Sequence, residues 1–350
     1  MNIYVLNVIL TLVWASFLLL YQRSRKKSIA FLTLVSIQWI LISGLRGMSV
    51  SPDMYSYRLR YFTTMNTPWK TIFQNFYDVY VNEEGKDPGY SLFEKITQIF
   101  IKDYNAYLII VAALFFIALA FWVYKNSSLP CFSYLIFSAF LFGFYAITGT
   151  RQTIATALIV LIGTEFIKKR KFIPFLLLSI AAFTIHKSSM VFFLFYFVSQ
   201  IKITKKYIIC VFTALPFLFI FRNQFVELLK YISGYEYDAF ESGGAYGFTF
   251  LYIAVTIVAV ILLKYIKNKC PNYQLYYNAL FMGMIFLPIV FVNPAMMRVV
   301  QYFSIYLMLI IPEIVRSFEK RLRVPVYALL VFALFAASNN YNYSYQFFWQ

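Results

Sequence analysis

The sequence predicts an all-α polytopic integral membrane protein of about twelve transmembrane helices, with amphipathic helices in its external loops. Three observations predict it. Of 350 residues, 61% are hydrophobic and 13% charged, which lies outside the range of soluble domains. Apolar runs near the ~20 residues needed to cross ~30 Å of hydrocarbon recur along the whole chain. The 31 Lys and Arg and 14 Asp and Glu, a formal charge of +17, are distributed very unevenly.

The first apolar run, residues 3–21, has no positive stretch before it. It is followed at once by Arg23, Arg25, Lys26 and Lys27, the reverse of a secretory signal. It reads as an uncleaved span with its N-terminus outside. Eleven more runs start near Ile29, Tyr104, Phe132, Gln152, Phe172, Met190, Tyr207, Phe248, Leu275, Val299 and Val324. The weakest are 172–185 and 190–201, which are short and separated by His186, Lys187 and two serines. They are expected as a tight helical hairpin or one broken helix.

An outside N-terminus makes the odd-numbered connections cytoplasmic. These hold 19 Lys and Arg against Glu165, Glu313 and Glu319, a net +16, whereas the external segments carry 12 basic and 11 acidic residues. Lys and Arg bias sets orientation in short loops, so the split supports twelve spans with both termini external. Most of the +17 therefore reports topology and implies no nucleic-acid partner. Cys131, Cys210 and Cys270 fall at or near cytoplasmic helix ends, are widely spaced and odd in number, and read as free thiols.

The chain is expected to form a single membrane domain, 1–350, with a large external loop at 46–103 and a second at 223–247. In the first, Trp69, Ile72, Phe73, Phe76 and Tyr80 recur at helical spacing, as do Leu92, Phe93, Ile96, Ile99 and Phe100. Helices lying in the membrane interface fit this pattern. The second repeats it with Phe225, Leu228, Leu229 and Ile232, then turns polar through Tyr235, Glu236, Asp238, Glu241, Gly243 and Gly244. The last residues, 339–350, read as an aromatic interfacial tail.

Cations that break the positive-inside rule carry the functional information. Arg46, Arg151, Lys187 and Arg298 lie at predicted outer helix mouths, near Asp53, His186 and Gln152. Such a ring suits an anionic headgroup, and the planar fork of Arg binds two phosphate oxygens at once. The structural alternative is that these arginines snorkel or pair with Asp53 and Glu94. Arg151 opens a helix in Gly149-Thr150-Arg151-Gln152, where backbone donors point the same way as its guanidinium. His186, the only histidine, could be a base or a hydrogen-bonded structural residue. There is no GxxxxGK[ST] loop, no HExxH and no DxD pair, so nucleotide-driven transport, zinc proteolysis and metal–sugar-nucleotide chemistry lack their usual residues. No metal or cofactor is expected.

These residues fall in an order that resembles the EpsG family of bacterial membrane proteins, relatives of the Wzy-type polysaccharide polymerases, over about residues 45–314. The elements are Arg46-Gly47 with Asp53 and Tyr57, then Asp87-Pro88-Gly89-Tyr90, then Thr150-Arg151-Gln152. Phe183-Thr184-Ile185-His186-Lys187-Ser188 follows, and finally Arg298 with Tyr302-Phe303 leading to Pro312. Pro52 stands where the family usually has Gly, and Asp87 where Glu is common.

The resemblance implies a glycosyltransferase of the bacterial cytoplasmic membrane, acting on its outer face. It would join polyprenyl-diphosphate-linked oligosaccharide units into O-antigen, capsule or exopolysaccharide, with the bilayer and a chain-length regulator as further partners. Arg151 and Arg298 would hold the donor diphosphate, with Arg46 assisting or holding the acceptor's, and Gln152 and Lys187 would belong to the same diphosphate-binding set. His186 or Asp53 would orient or deprotonate the acceptor hydroxyl. Two rivals remain: a flippase for the same lipid-linked oligosaccharide, and a membrane acetyltransferase of surface glycan.

Overall fold

The computed structural model describes residues 2–19, 24–51, 53–140, 142–233, 245–339 and 345–350. Every apolar run read from the sequence is helical there, and the described residues contain no strand beyond one antiparallel bridge, Arg46 with Phe347. The chain divides into two compact units, Met1–Ser189 with Tyr327–Gln350, and Met190–Val326.

The first unit opens with α1 (Ile3–Leu19) and α2 (Arg25–Gly44). α2 starts where Ser24 accepts a hydrogen bond from the Lys27 amide, satisfying one of the free donors of the first turn. Three helices follow within residues 46–103: α3 (Asp53–Asn66), α4 (Trp69–Tyr80) and α5 (Pro88–Thr97). α4 and α5 match the two amphipathic stretches. α3 was not anticipated, although its buried Met54, Tyr57, Tyr61 and Thr64 stand at helical spacing.

α6 (Tyr104–Asn126) is capped by Asp103, whose carboxylate accepts from the Ala106 amide. It packs along α2, where a Cβ on Gly44 would lie 2.8 Å from the Ile109 Cα and Trp39 stacks on Phe116 with ring centres 5.5 Å apart. α7 (Pro130–Ala139), α8 (Phe142–Thr148) and α9 (Thr150–Thr156) come next, and α9 continues through a π-helical stretch, Ala157–Ile162, into α10 (Gly163–Lys168). π turns of this kind concentrate at functional sites. α11 (Phe172–Ile185) ends at His186, whose extended backbone breaks the helix before a 3₁₀ turn, Lys187–Ser189.

The second unit begins with the short α12 (Met190–Phe193) and α13 (Phe195–Val198), then α14 (Lys205–Ile220) and α15 (Arg222–Ser233). α16 (Tyr246–Ile261), α17 (Leu263–Lys269) and α18 (Tyr273–Phe286) follow, then α19 (Met297–Ser304) and α20 (Leu307–Ser317). Its core gathers on α18 and α19, where Phe286 stacks on Phe303 and the Tyr252 hydroxyl donates to the Leu280 carbonyl at 3.1 Å. α21 (Lys320–Asn339) runs from this unit's last residues into the first. The polar stretch from Tyr235 to Gly244 and the tail residues Tyr341 and Tyr343 lie outside the described residues.

By length and composition, three described segments can cross a membrane, Arg25–Gly44, Tyr104–Asn126 and Tyr273–Phe291, and up to seven if each of four bent pairs is one span. Twelve crossings are not reached on that measure. Several further apolar helices are short, as in Ile3–Leu19, Phe172–Ile185 and Lys187–Val198, and the bend between Lys205–Ile220 and Arg222–Tyr231 is 89°.

The last described residues, 345–350, are tied to the segment that follows α2. The Gly47 amide donates to the Gln346 carbonyl at 2.7 Å, the Phe348 amide to the Leu45 carbonyl at 3.0 Å, and the Ser49 hydroxyl to Gln346 Oε1 at 2.7 Å. The Tyr345 hydroxyl donates to the Ile42 carbonyl, and its ring meets Tyr4 edge-on at 6.3 Å. Residues near both ends of the chain thus share one end of the first unit.

Candidate functional site

The site of the first unit forms where α5, α9 and the break after α11 converge. Asp87-Pro88 reads as an N-cap followed by the first helical residue, and α5 does start there. Yet the Asp87 side chain makes no capping bond. Its backbone is left-handed, φ 53° and ψ 55°, a conformation that costs a non-glycine residue roughly 1–2 kcal/mol. The carboxylate is thereby turned out of α5 and onto its neighbours.

Asp87 Oδ1 accepts from the Lys187 backbone amide at 3.1 Å. Oδ2 takes a hydrogen bond from the Arg151 guanidinium and lies 3.9 Å from His186 Nδ1. The carboxylate is 1% exposed. Burial pushes its pKa up, but His186, Arg151 and the Lys187 amide outweigh this and hold it below the usual carboxylate range.

Arg151 stands in the first turn of α9, which Gly149 opens by accepting from both the amide and the hydroxyl of Thr153. Its guanidinium also lies over the Tyr57 ring, 5.6 Å from the centroid. Gln152, in the same turn, is buried. His186 is buried at the C-terminus of α11, and its amide donates to the Ala182 carbonyl at 2.8 Å.

Arg46 is 1% exposed. Its guanidinium donates to the carbonyl and hydroxyl of Ser43, to Met54 Sδ, and at 3.3 Å to Thr150 Oγ1, the residue before Arg151. None of these partners is acidic, so a desolvated positive charge sits beside the Arg151 turn. Burial lowers its pKa from the usual value, against the pull of Tyr104, Tyr345, Tyr90 and Tyr107 around it.

The structure therefore brings together Arg46, Arg151, Gln152, His186 and Lys187. Asp53 is exposed in the first turn of α3, and the carboxylate that meets the guanidinium and the imidazole is that of Asp87. Glu94, the other acid expected near an arginine, pairs with Arg60 at 3.8 Å. Arg298 belongs to the second unit, in the first turn of α19. Asp87 belongs to the Asp87-Pro88-Gly89-Tyr90 element of the sequence and is not among the site residues expected from it. The one local signal it carried was an N-cap position followed by Pro88.

Chemically, an imidazole faced by a carboxylate can take up a proton and keep its orientation, the logic of an oriented base. Cations beside it can compensate an anion. An all-helical fold with apolar helices and this polar cluster at helix ends defines a membrane protein built around a charged site. The chain belongs to the EpsG family, whose model matches residues 29–350. No curated relative and no solved structure matches it.

Proposed function

We propose that this chain is a Wzy-type polysaccharide polymerase of about twelve spans, with both termini and the active site on the external face of the bacterial cytoplasmic membrane. It transfers a growing glycan from its polyprenyl diphosphate to a sugar hydroxyl of the next lipid-linked repeat unit. The acceptor oxygen bonds to the anomeric carbon, and the bond from that carbon to the diphosphate breaks, its electron pair leaving with the diphosphate. The hydroxyl proton passes to His186.

The observation that carries this reading is the buried Asp87 carboxylate, shared by Arg151, the Lys187 amide and His186. Asp87 orients the imidazole and compensates the charge it gains. Arg46, hydrogen-bonded to the neutral Ser43, Met54 and Thr150, and the side chains of Arg151 and Lys187 compensate the leaving diphosphate, which is a large part of the barrier in such a transfer. Preorganised cations of this kind need no metal ion to act. Tyr80, 42% exposed and stacked on Phe183, offers a ring face for a sugar near Asp87. The edge contact of Tyr4 with Tyr345 supports termini on one face. Arg298 is assigned to substrate from the family resemblance, and its own variant tests it.

Deleting the chain from its host tests the class of activity. Surface glycan reduced to single repeat units is the expected result. Loss of all surface glycan would indicate a flippase, full-length but unmodified chains an acetyltransferase, and either would overturn the proposal.

A further inference from the structure

Asp87 needs holding. Its left-handed backbone is costly, and a residue before proline favours extended conformations. Arg60, on α3, reaches its backbone carbonyl. Arg60 Nη2 donates to the Asp87 carbonyl at 3.3 Å and to the Ser91 hydroxyl at 2.8 Å, and its guanidinium lies 5.0 Å from the Tyr90 ring centroid. Arg60 is in turn held by Glu94, a fully buried carboxylate 3.8 Å away that also accepts from Thr64 Oγ1 at 3.1 Å. One guanidinium therefore ties the backbone of Asp87, the side chain of Ser91 and a buried acid together, without touching Arg151 or His186 in any of these contacts.

We propose that Arg60 is a positioning residue, clamping the Asp87 carbonyl so that the Asp87 carboxylate stays turned toward Arg151 and His186, with Glu94 fixing the clamp. The proposal rests on the functional reading only for its effect on turnover. Its structural part can be read without substrate, because His186 is the only histidine of the chain and ring-labelled histidine gives a single set of imidazole resonances.

The test compares purified wild type, Asp87→Asn, Glu94→Gln and the double variant Arg60→Met with Glu94→Gln, the last chosen because Arg60→Met alone would leave Glu94 buried without its cation. The clamp predicts that the double variant moves the His186 ring resonances toward those of Asp87→Asn, while Glu94→Gln, which keeps the arginine, shifts them much less. With lipid-linked repeat units, kcat of the double variant falls about 10²-fold, the cost of a small misplacement of a reacting group, with KM little changed. Restoring a donor in Arg60→Lys with Glu94→Gln recovers part of both effects. A folded double variant with wild-type His186 resonances overturns the clamp. Should the resonances move as expected while the wild type extends no glycan, the clamp stands and the polymerase reading fails.

Discussion

Gly89 packs directly against Thr184, so closely that a Cβ built on it would lie 2.6 Å from the threonine Cβ. Gly89 is the second residue of α5 and Thr184 stands two residues before His186, so this contact seats Asp87 beside the imidazole. Gly89→Ala should force α5 outward. An overpacking cost of about 1–3 kcal/mol is expected in thermal unfolding, with a larger loss in chain growth than the destabilisation explains. Thr184→Gly in the same chain should return part of the activity.

Asp87→Asn keeps the shape and removes the charge. Breaking a buried ion pair costs about 3–5 kcal/mol, and the lower end applies because the Arg151 side chain is 15% exposed. Chain growth should fall roughly 10²-fold or more, as for loss of general-base function. Because the folded pKa of Asp87 lies below its ordinary 3.8, the pair's stabilisation is complete above that value and lost as pH falls through the folded one. Acid unfolding of wild type should therefore show a steep step below about pH 4 that Asp87→Asn lacks.

Glu94 has the opposite sign. Burial pushes its pKa from 4.5 to about 7, against the pull of Arg60 and of its hydrogen bonds. Between those values the folded chain binds a proton that the unfolded chain does not, so stability declines as pH rises from 4.5 to about 7 and is level above. Unfolding temperatures measured across that window should decline in wild type and stay nearly flat in Glu94→Gln. A wild-type curve that climbs through the window would contradict this account of the α3–α5 packing.

Much of the fold was legible because apolar runs report helices directly, and α2, α6 and α18 begin within a few residues of where the runs do. α3 escaped because its buried stripe is mostly tyrosine and threonine, which reads as polar. The crossings were harder to count, since a run of apolar residues does not reveal a bend such as that between Lys205–Ile220 and Arg222–Tyr231. In the site, Arg151 and His186 stand out as a cation and the single histidine at helix ends. Asp87 did not, because its partners lie 64 and about 100 positions away and meet it only through a left-handed backbone and a glycine contact. The docking of Gln346 and Phe348 on Gly47 and Leu45 carries no periodicity at all.

That docking covers Arg46. A chain ending before Tyr345 should expose the guanidinium, and phenylglyoxal followed by mass spectrometry should modify Arg46 in the truncated protein far faster than in the full chain. Equal protection in both would show that Ser43, Met54 and Thr150 bury it without the tail.

The most direct test is reconstitution. Purified wild-type chain in liposomes with lipid-linked repeat units and a chelator should build a ladder of glycans, releasing one lipid diphosphate for each linkage formed. Arg151→Lys, folded but without a planar fork to share between Asp87 and a diphosphate, should leave single units. No ladder from the wild type, or near-normal growth by Arg151→Lys, would contradict the account.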